Sequence, residues 1–347
     1  MADGRILADD TPEALLRGQL LQKIGLREPL YLEAAEFAGI DLKQATHLAN
    51  LETFDAPNLG AKLADFTTEA PKTVADQPQT PLLTVAGLQF AYPKGRQIFT
   101  DLNLTLHHGE MVALVGRNGV GKSTLSHLIA GFLNPNAGQI TLDGEDLATW
   151  SVKERADKIG YILQDPNQMI SKHLIFDEVA LGPRLRGWDE DRVKSAVLSA
   201  LKVCGLYPFR SWPINALSYG QKKRVTIAAI LVLEPALMIL DEPTAGQDWR
   251  HFTDMMRFLT KLNDQGITMM LITHDMHLML EYAQRTIVLG DGGVLMDATP
   301  AAVLTNPDVI QHASLAQPSL YRLAKRLNLD PLAFTQAVID QERRVRQ

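Results

Sequence analysis

This sequence has a single cysteine and fewer basic than acidic residues. Cys204 is the one cysteine among 347 residues, which excludes an internal disulfide. It lies in the apolar helical stretch AVLSALKVCGL, where we expect a small core side chain. Lysine and arginine number 34 against 40 aspartate and glutamate, which gives a net charge of −6. This balance argues against a nucleic-acid-binding protein and leaves an acidic surface available to a basic partner.

Long apolar runs are also missing. The longest, VTIAAILVLEPALMIL from Val225, is interrupted by Glu234 and Pro235, whereas a membrane-spanning helix needs about 20 apolar residues. The first residues, MADGRILADDTPEA, are acidic and have no apolar core, unlike a secretory signal. We therefore expect a soluble, intracellular chain, and the apolar (46%) and charged (21%) fractions are those of an ordinary globular protein.

A short segment occurs twice in the chain. DGRILADDTPEALL, from Asp3, resembles DGGVLMDATPAAVL, from Asp291. The likeness continues at Leu26, Pro29 and Asp41, which match Leu315, Pro318 and Asp330. Chance could produce two similar strand–turn–helix edges; the alternative is that residues 1–42 are the end of a preceding domain of the same kind as the one that follows. In that case we expect a short hairpin and helix that take no part in the chemistry of the complete domain.

The composition changes twice along the chain. From residue 43 to 81 the periodicity is lost, and TTEAPKTVADQPQTP predicts an extended linker. From residue 82 to 304 short apolar strands such as MVALV, ALMILD and ITMMLIT alternate with helical stretches, after two strands, LLTVAGLQF and QIFTDLNLTL. This alternation predicts an α/β domain with a mainly parallel sheet, preceded by antiparallel strands. Residues 305–347 read as a helical C-terminal tail.

A glycine-rich loop gives the strongest functional signal. GRNGVGKS, from Gly116 to Ser123, fits G-x-x-x-x-G-K-[ST] and lies between a strand and a helix, the context in which that pattern binds phosphate. Its backbone N–H groups and the following helix N-terminus favour phosphate, Lys122 reaches the β- and γ-phosphates, and the Ser123 hydroxyl binds Mg²⁺. The candidate ATP contacts in this loop are Gly116, Asn118, Gly119, Gly121, Lys122, Ser123 and Thr124.

Two carboxylates end a later strand. In LMILDE, Asp241 and Glu242 follow an apolar run, and strand ends of a parallel sheet meet at one edge. Asp241 is the candidate Mg²⁺ ligand, and Glu242 is the candidate group that orients and polarises the attacking water. Together with the glycine-rich loop, these residues predict a P-loop NTPase core.

The segment LSYGQ, from Leu217 to Gln221, narrows the class. It lies between the two motifs and resembles the LSGGQ signature of the ATP-binding-cassette (ABC) family, with Tyr219 in place of the first glycine. The resemblance implies a helical subdomain that carries the signature. It also implies that Ser218, Gly220 and Gln221 bind a nucleotide held by an opposite ATPase subunit, so that the chain works as a dimer with an identical or a different cassette.

Further positions resemble ABC landmarks in the expected order. Gln164 in YILQDP resembles the Q-loop glutamine, which implies contact with Mg²⁺ and water. Tyr92 in FAYP resembles the aromatic residue that stacks on adenine, and Asp248 in AGQD resembles the D-loop aspartate that communicates across the dimer. His274 in LITHD resembles the switch histidine at the γ-phosphate. The implied catalytic set is therefore Glu242, His274 and Gln164.

Other stretches resemble one group of the family. QDPNQMISKHLIFDEVALGP looks like the energy-coupling-factor importers. THDMHLMLEYA looks like the second half of their duplicated, two-cassette ATPases, which are associated with uptake of thiamine precursors or other vitamins. This implies ATP-driven import of a vitamin or similar micronutrient at the cytoplasmic face of the cell membrane. The implied partners are a transmembrane coupling protein, whose arginine-bearing helices enter grooves beside the Q-loops, and a substrate-capturing membrane protein. The candidate acidic contacts are Asp165, Asp177 and Glu178.

Two other functions stay open at this point. One is a soluble tandem ABC protein acting on ribosomes or nucleic acid, although such proteins often carry strongly basic linkers and this linker is not basic. The other is a nucleotide-binding regulatory or dimerisation module without turnover, against which Glu242 and His274 argue. Co-purification with membrane proteins or with ribosomal RNA separates the first from a transporter, and a steady-state ATPase assay tests the second.

Overall fold

All the strands of the described residues lie in the central part of the chain, between residues 81 and 298. A computed structural model describes residues 6–17, 21, 26–69 and 80–346. The strands of these residues are β1 (Pro81–Ala91), β2 (Gln97–His107), β3 (Met111–Val115), β4 (Ala137–Leu142), β5 (Glu145–Asp146), β6 (Ile159–Ile162), β7 (Leu237–Asp241), β8 (Thr268–Ile272), β9 (Arg285–Gly290) and β10 (Gly293–Ala298).

The strands form two sheets, as the sequence predicts. The larger has the order β10-β9-β3-β8-β7-β6, and all its neighbours are parallel except β10 and β9. Every residue of β3 and β8 is buried, because helices cover both faces of such a sheet. The smaller sheet, β2-β1-β4-β5, is antiparallel. The predicted α/β fold with an antiparallel subdomain is confirmed, and the ends of β3, β7 and β8 lie side by side.

The helices surround the larger sheet or extend from it. They are α1 (Pro12–Arg17), α2 (Leu30–Phe37), α3 (Leu59–Glu69), α4 (Lys122–Ala130), α5 (Val152–Ala156), α6 (Ile175–Leu185), α7 (Glu190–Val203), α8 (Tyr219–Leu231), α9 (Trp249–Asp264), α10 (Met276–Tyr282), α11 (Pro300–Leu304), α12 (Pro307–Ala313), α13 (Ser319–Arg326) and α14 (Pro331–Arg346). No helix among the described residues combines the length and the apolar content that crossing a bilayer requires.

Helices α6, α7 and α8 pack on one another as the predicted helical subdomain. Its core is made of aliphatic side chains such as Val179, Val197 and Val225, all fully buried. Cys204 belongs to the same core, and burial raises the pKa of its thiol to about 12. The expectation that this cysteine is a core residue is therefore confirmed.

Both ends of the described chain share a second helical layer. We call residues 26–69 together with 299–346 the end unit. Phe54, Leu63 and Phe334 are fully buried in a common core, and α14 contacts both α3 and α10. Arg326 donates to the carbonyl oxygen of Phe54, and Arg343 donates to that of Ala283, directly after α10, at 2.6 Å. The end unit is thus built from segments that lie far apart in sequence.

The predicted linker differs from the structure over residues 43–69. Thr46 and Asp55 form a β-bridge, and α3 follows at Leu59. The segment folds because its apolar side chains, including Leu48 and Phe54, are buried in the core of the end unit, although their spacing follows neither helical nor strand periodicity. Residues 70–79 of that linker lie outside the described residues.

The two copies of the sequence repeat fold alike in their helices. Helix α2 begins after Pro29 and α13 after Pro318. The second residue after each helix has a positive φ, 70° at Gly39 and 56° at Asn328. The following amide returns to the helix in both, from Ile40 to Ala35 at 3.0 Å and from Leu329 to Ala324 at 2.9 Å. Because α2 and α13 also contact each other, the repeat is structural. Residues 1–5 of the predicted hairpin lie outside the described residues, and residues 6–11 form no strand, whereas the matching segment of the second copy is β10.

Candidate nucleotide site

The glycine-rich loop connects β3 to α4 in a shape that requires glycine. Gly116 has a φ of 147° and Gly121 a φ of 117°, a region that side chains rarely adopt. A Cβ at position 116 would lie 2.7 Å from the carbonyl oxygen of Leu289, and one at position 121 would lie 2.7 Å from the ring of Phe99. The loop is therefore pressed against its surroundings while its other side borders a cleft.

Lys122 folds back over this loop. Its Nζ donates to the carbonyl oxygen of Gly116 at 2.6 Å and to that of Arg117 at 3.2 Å. Burial lowers the pKa of Lys122, and the negative charges of Glu242 and Asp241 act in the opposite direction. The lysine thus sits between the loop carbonyls and two acids, where it can exchange a carbonyl for a phosphate oxygen.

The two acids at the end of β7, Asp241 and Glu242, have different surroundings. Burial raises the pKa of Asp241, and the positive charges of Lys223 and Lys122 lower it again. Glu242 has a φ of 43°, rare for a residue with a side chain. Such strain is found where a site over-determines the backbone.

The Glu242 carboxylate is oriented by two neighbours at the end of β8. Its Oε1 lies 2.6 Å from Nδ1 of His274, and its Oε2 accepts a hydrogen bond of 3.3 Å from Thr273. The glutamate side chain is 14% exposed and the histidine side chain 78%. A largely buried carboxylate therefore borders the cleft beside an exposed imidazole.

Tyr92 borders the same cleft from the antiparallel sheet. Its hydroxyl lies 3.2 Å from that of Thr124, and its ring packs edge-on against Phe90 with the centroids 4.9 Å apart. The residue is 40% exposed. Its position allows an apolar face to contact a flat ligand without burying the hydroxyl unsatisfied.

These groups line one cleft of about 870 Å³. Among the predicted residues that line it are Tyr92, Gly116, Asn118, Gly119, Gly121, Lys122, Ser123, Thr124, Gln164, Asp241, Glu242 and His274. The predicted Mg²⁺ set of Ser123, Gln164 and Asp241 supplies a hydroxyl, an amide and a carboxylate, and oxygen donors of this kind fit Mg²⁺. The sequence analysis missed residues 313–316 of the end unit, which also line the cleft and carry no motif.

The signature residues do not line this cleft. Ser218 is the N-cap of α8 and accepts a hydrogen bond from the amide of Gln221 at 3.3 Å, while the Gln221 side chain accepts one from the amide of Ser218 at 3.0 Å. This reciprocal pair is a capping box. Ser218, Gly220 and Gln221 therefore present a helix N-terminus outside the cleft of their own chain. Asp248 likewise caps α9, accepting from the amide of His251 at 2.9 Å.

An apolar groove of about 310 Å³ lies between α5, α6 and α8, bordered by Tyr161 of β6. Phe132 (57% exposed) and Leu185 (70% exposed) stand at its edge. Asp177 is exposed and pairs with Arg184 at 3.3 Å.

The acidic candidates beside this groove divide into two kinds. Asp165 is half-buried and caps the short turn Pro166–Gln168. Glu178, the third predicted partner contact, lines the groove, but its carboxylate is bonded within its own chain. It is buried and accepts hydrogen bonds from the amides of Ser171 at 2.8 Å and Lys172 at 2.6 Å. It therefore stabilises the loop before α6.

Comparison with known proteins matches the chain to two families. The ABC transporter family matches residues 99–245, and a family described as ATP-binding cassette cobalt transporter matches residues 18–90. A protein of Lactiplantibacillus plantarum named as an ABC transporter ATP-binding protein is 59% identical over 351 aligned residues, and one of Enterococcus faecalis is 51% identical over 348. Each alignment covers 100% of this chain and 61% of the relative, so the chain spans about three fifths of the length of these curated relatives.

Solved structures include one that is similar to this chain. It is described as cbiO1 from Clostridium perfringens, part of the ABC transporter complex cbiONQ, and it shares 32% sequence identity with a TM-score of 0.63. The alignment covers 71% of this chain and 100% of that chain.

Proposed function

Because this chain belongs to the ABC transporter ATPase family, we propose that it binds MgATP in the cleft and hydrolyses it to drive import of a small substrate through partner membrane proteins. The observation that carries the proposal is the meeting of Lys122, Asp241 and the Glu242–His274 pair at one sheet edge. A cation for phosphate, an acid for a metal and an acid for water are the groups that phosphoryl transfer requires.

Binding rests on the glycine-rich loop. Its N–H groups and the N-terminus of α4 attract the phosphates, and Lys122 is placed to exchange its bond to the Gly116 carbonyl for one to phosphate. Tyr92 offers its ring to adenine. When bound, Mg²⁺ neutralises phosphate charge, and Ser123, Gln164 and Asp241 are the residues that would hold it.

Turnover rests on Glu242, which orients and polarises the attacking water. His274 contacts the γ-phosphate on the proposed assignment, and its hydrogen bond to Glu242 couples the two groups. The experiment is Glu242→Gln, which keeps the shape and removes the charge. We expect ATP binding to persist and kcat to fall by about 10²-fold or more.

The matched control for this experiment is Glu145→Gln on β5, an exposed glutamate outside the cleft. Its kcat should equal that of the parent. If Glu242→Gln hydrolysed ATP at the parent rate, Glu242 would not be the residue that activates water.

The working unit is proposed to be a dimer of cassettes, arranged head to tail. This is supported by the position of Ser218 and Gly220 outside the cleft of their own chain, since a signature that contacts phosphate must then serve another subunit. With Glu242→Gln and MgATP we expect a shift to dimer that depends on protein concentration. Ser218→Arg should abolish it by placing bulk in the contact.

The matched control in sedimentation is Ser151→Arg. Ser151 also caps a helix through a capping box with Glu154, but it follows the antiparallel strands β4 and β5 and is not part of the signature. It should dimerise like the parent. A chain that stays monomeric with ATP at high concentration would need a different cassette as its partner, and added ATPase activity on mixing would reveal it.

The membrane partner is proposed to dock in the apolar groove beside the Q-loop, with Asp165 and Asp177 facing basic side chains of a coupling protein. The exposed Phe132 and Leu185 support this. A second, substrate-capturing membrane protein completes the transporter, which places the chain at the cytoplasmic face of the membrane. Co-purification with membrane proteins supports this arrangement, whereas co-purification with ribosomal RNA would support the alternative of a soluble protein acting on ribosomes.

The cargo is proposed to be a micronutrient. The family that matches residues 18–90 is described by cobalt transport, whereas the sequence resemblance points to a vitamin such as a thiamine precursor. Uptake of radiolabelled cobalt and of radiolabelled thiamine by cells with and without Glu242→Gln distinguishes them. The true cargo loses ATP-dependent uptake in the variant, and the other does not respond.

A further inference from the structure

Helix α8 is bonded to the Q-loop backbone by two side chains from its first two turns. Lys223 Nζ donates to the carbonyl oxygens of Leu163 at 2.9 Å and Gln164 at 2.7 Å. The hydroxyl of Tyr219 donates to the same Gln164 carbonyl at 3.0 Å. All three distances are those of ordinary hydrogen bonds.

Lys223 is an unusual residue in this position because it is only 1% exposed. A buried ammonium is costly unless hydrogen bonds and opposite charges compensate for lost water. Burial lowers its pKa to about 8, and the charge of Asp241 acts in the opposite direction. The lysine therefore depends on the Q-loop carbonyls for its solvation, and the loop depends on the lysine for its shape.

Tyr219 stands where the family signature has its first glycine. Its hydroxyl is bonded to Gln164 of the same chain, so the side chain is directed to its own Q-loop. The capping box of Ser218 and Gln221 stays intact beside it. The helix N-terminus is thus formed as in a capped helix, and the tyrosine adds a contact that a glycine could not make.

We propose that Tyr219 and Lys223 are positioning residues that hold the Q-loop backbone against the first turns of α8, so that Gln164 in one nucleotide site and the signature in the next move as one body. This inference rests on the proposed function, because it assigns Gln164 to the cleft and the signature to a second subunit. Neither side chain lines the nucleotide cleft, so each acts through Gln164.

The kinetic test compares Tyr219→Phe and Lys223→Met with the parent in the full-length protein. Tyr219→Phe removes one hydrogen bond, so kcat should fall by about 2- to 10-fold. The KM for ATP should change by less than about 2-fold, because the glycine-rich loop is untouched. The Mg²⁺ concentration for half-maximal rate should rise in both variants. The double variant should fall short of the product of the two single effects, since both donors share one carbonyl.

Tyr207→Phe is the matched control, because Tyr207 lies in the same helical subdomain with its ring beside Arg210, 4.7 Å away, and outside the cleft. It should keep the parent kcat and Mg²⁺ dependence. Parent values of kcat and of Mg²⁺ dependence in both Tyr219→Phe and Lys223→Met would overturn the proposal.

Hydrogen exchange gives a readout that needs no turnover. In both variants the amides of residues 165–169 should exchange faster, while those of residues 116–124 should not change. Unchanged exchange at residues 165–169 would overturn the proposal even in a chain that hydrolyses ATP. A parent protein without ATPase activity would instead refute the proposed function, and the exchange experiment would still test the contact.

Discussion

The nucleotide cleft and the end unit are held together by different physics. In the cleft, single atoms decide the geometry: Gly121 leaves no room for a Cβ, and Glu242 keeps a strained backbone. In the end unit, apolar area decides, and Phe54 and Phe334 share a core with residues hundreds of positions away. A site that must match one ligand tolerates little change of shape, whereas a packed layer loses stability in proportion to the volume removed.

The largest effect should come from breaking the shape of the cleft. In Gly121→Ala the new methyl group meets Ile98 and Phe99 at 2.7 Å, and the residue keeps a φ of 117°. Crowding and backbone strain together cost about 3 kcal/mol or more, so we expect ATP affinity to fall by about 10²-fold or more. Equilibrium binding of a fluorescent ATP analogue measures it.

Gly109→Ala is the control for the strain alone. Gly109 also has a positive φ (71°), but a Cβ there meets no atom within 4 Å, and it lies in the turn before β3. Its ATP affinity should stay at the parent value. Equal losses of affinity in both variants would show that backbone strain, and not the contact with Phe99, sets the loop.

The next effect concerns stability rather than binding. Phe54→Ala empties a fully buried ring site in the end unit and should lower the free energy of unfolding by about 3–5 kcal/mol. The KM for ATP of the remaining folded protein should not change. Urea unfolding followed by fluorescence measures the first quantity, and Val345→Ala, 65% exposed on α14, should shift it by less than about 0.5 kcal/mol. A loss of ATP affinity in Phe54→Ala would show that the cleft depends on the packing of the end unit.

The smallest effect should arise where the two regions meet. The guanidinium of Arg27 lies 3.8 Å from the ring centroid of Trp249, the first residue of α9, and pairs with Glu281 on α10. These helices follow Asp248 and His274, so Arg27 joins the segment before the cassette to two functional loops. Arg27→Met should lower kcat by about 2- to 10-fold and leave ATP affinity unchanged.

Arg17→Met is the matched control for this contact, because Arg17 donates to the carbonyl oxygens of Lys43 and Ala45 and not to the cassette. It should keep the parent kcat. If Arg27→Met also kept it, the expectation that residues 1–42 take no part in the chemistry would hold.

Sequence patterns predicted the cleft far better than the end unit. The predicted residues of the cleft belong to short motifs, because phosphate and metal chemistry restrict both residue type and spacing at Gly121, Lys122 and Asp241. The folding of residues 43–69 was not predictable, since a core that lacks periodicity leaves no local signal. The contacts of Tyr219 and the burial of Glu178 were missed for another reason. Each depends on a hydrogen-bond partner, Gln164 or Lys172, that only the folded chain brings close.

The packing of α2 against α13 joins two copies of one motif within a single chain. In a symmetric pair of identical subunits every substitution occurs twice, so neither side can specialise. Here the two copies are encoded separately, and their sequences differ. Arg27 and Ala316 occupy matching positions of the repeat, yet Arg27 contacts α9 and α10 whereas Ala316 borders the nucleotide cleft. Covalent linkage also makes this contact independent of dilution, and it frees each copy to evolve its own task.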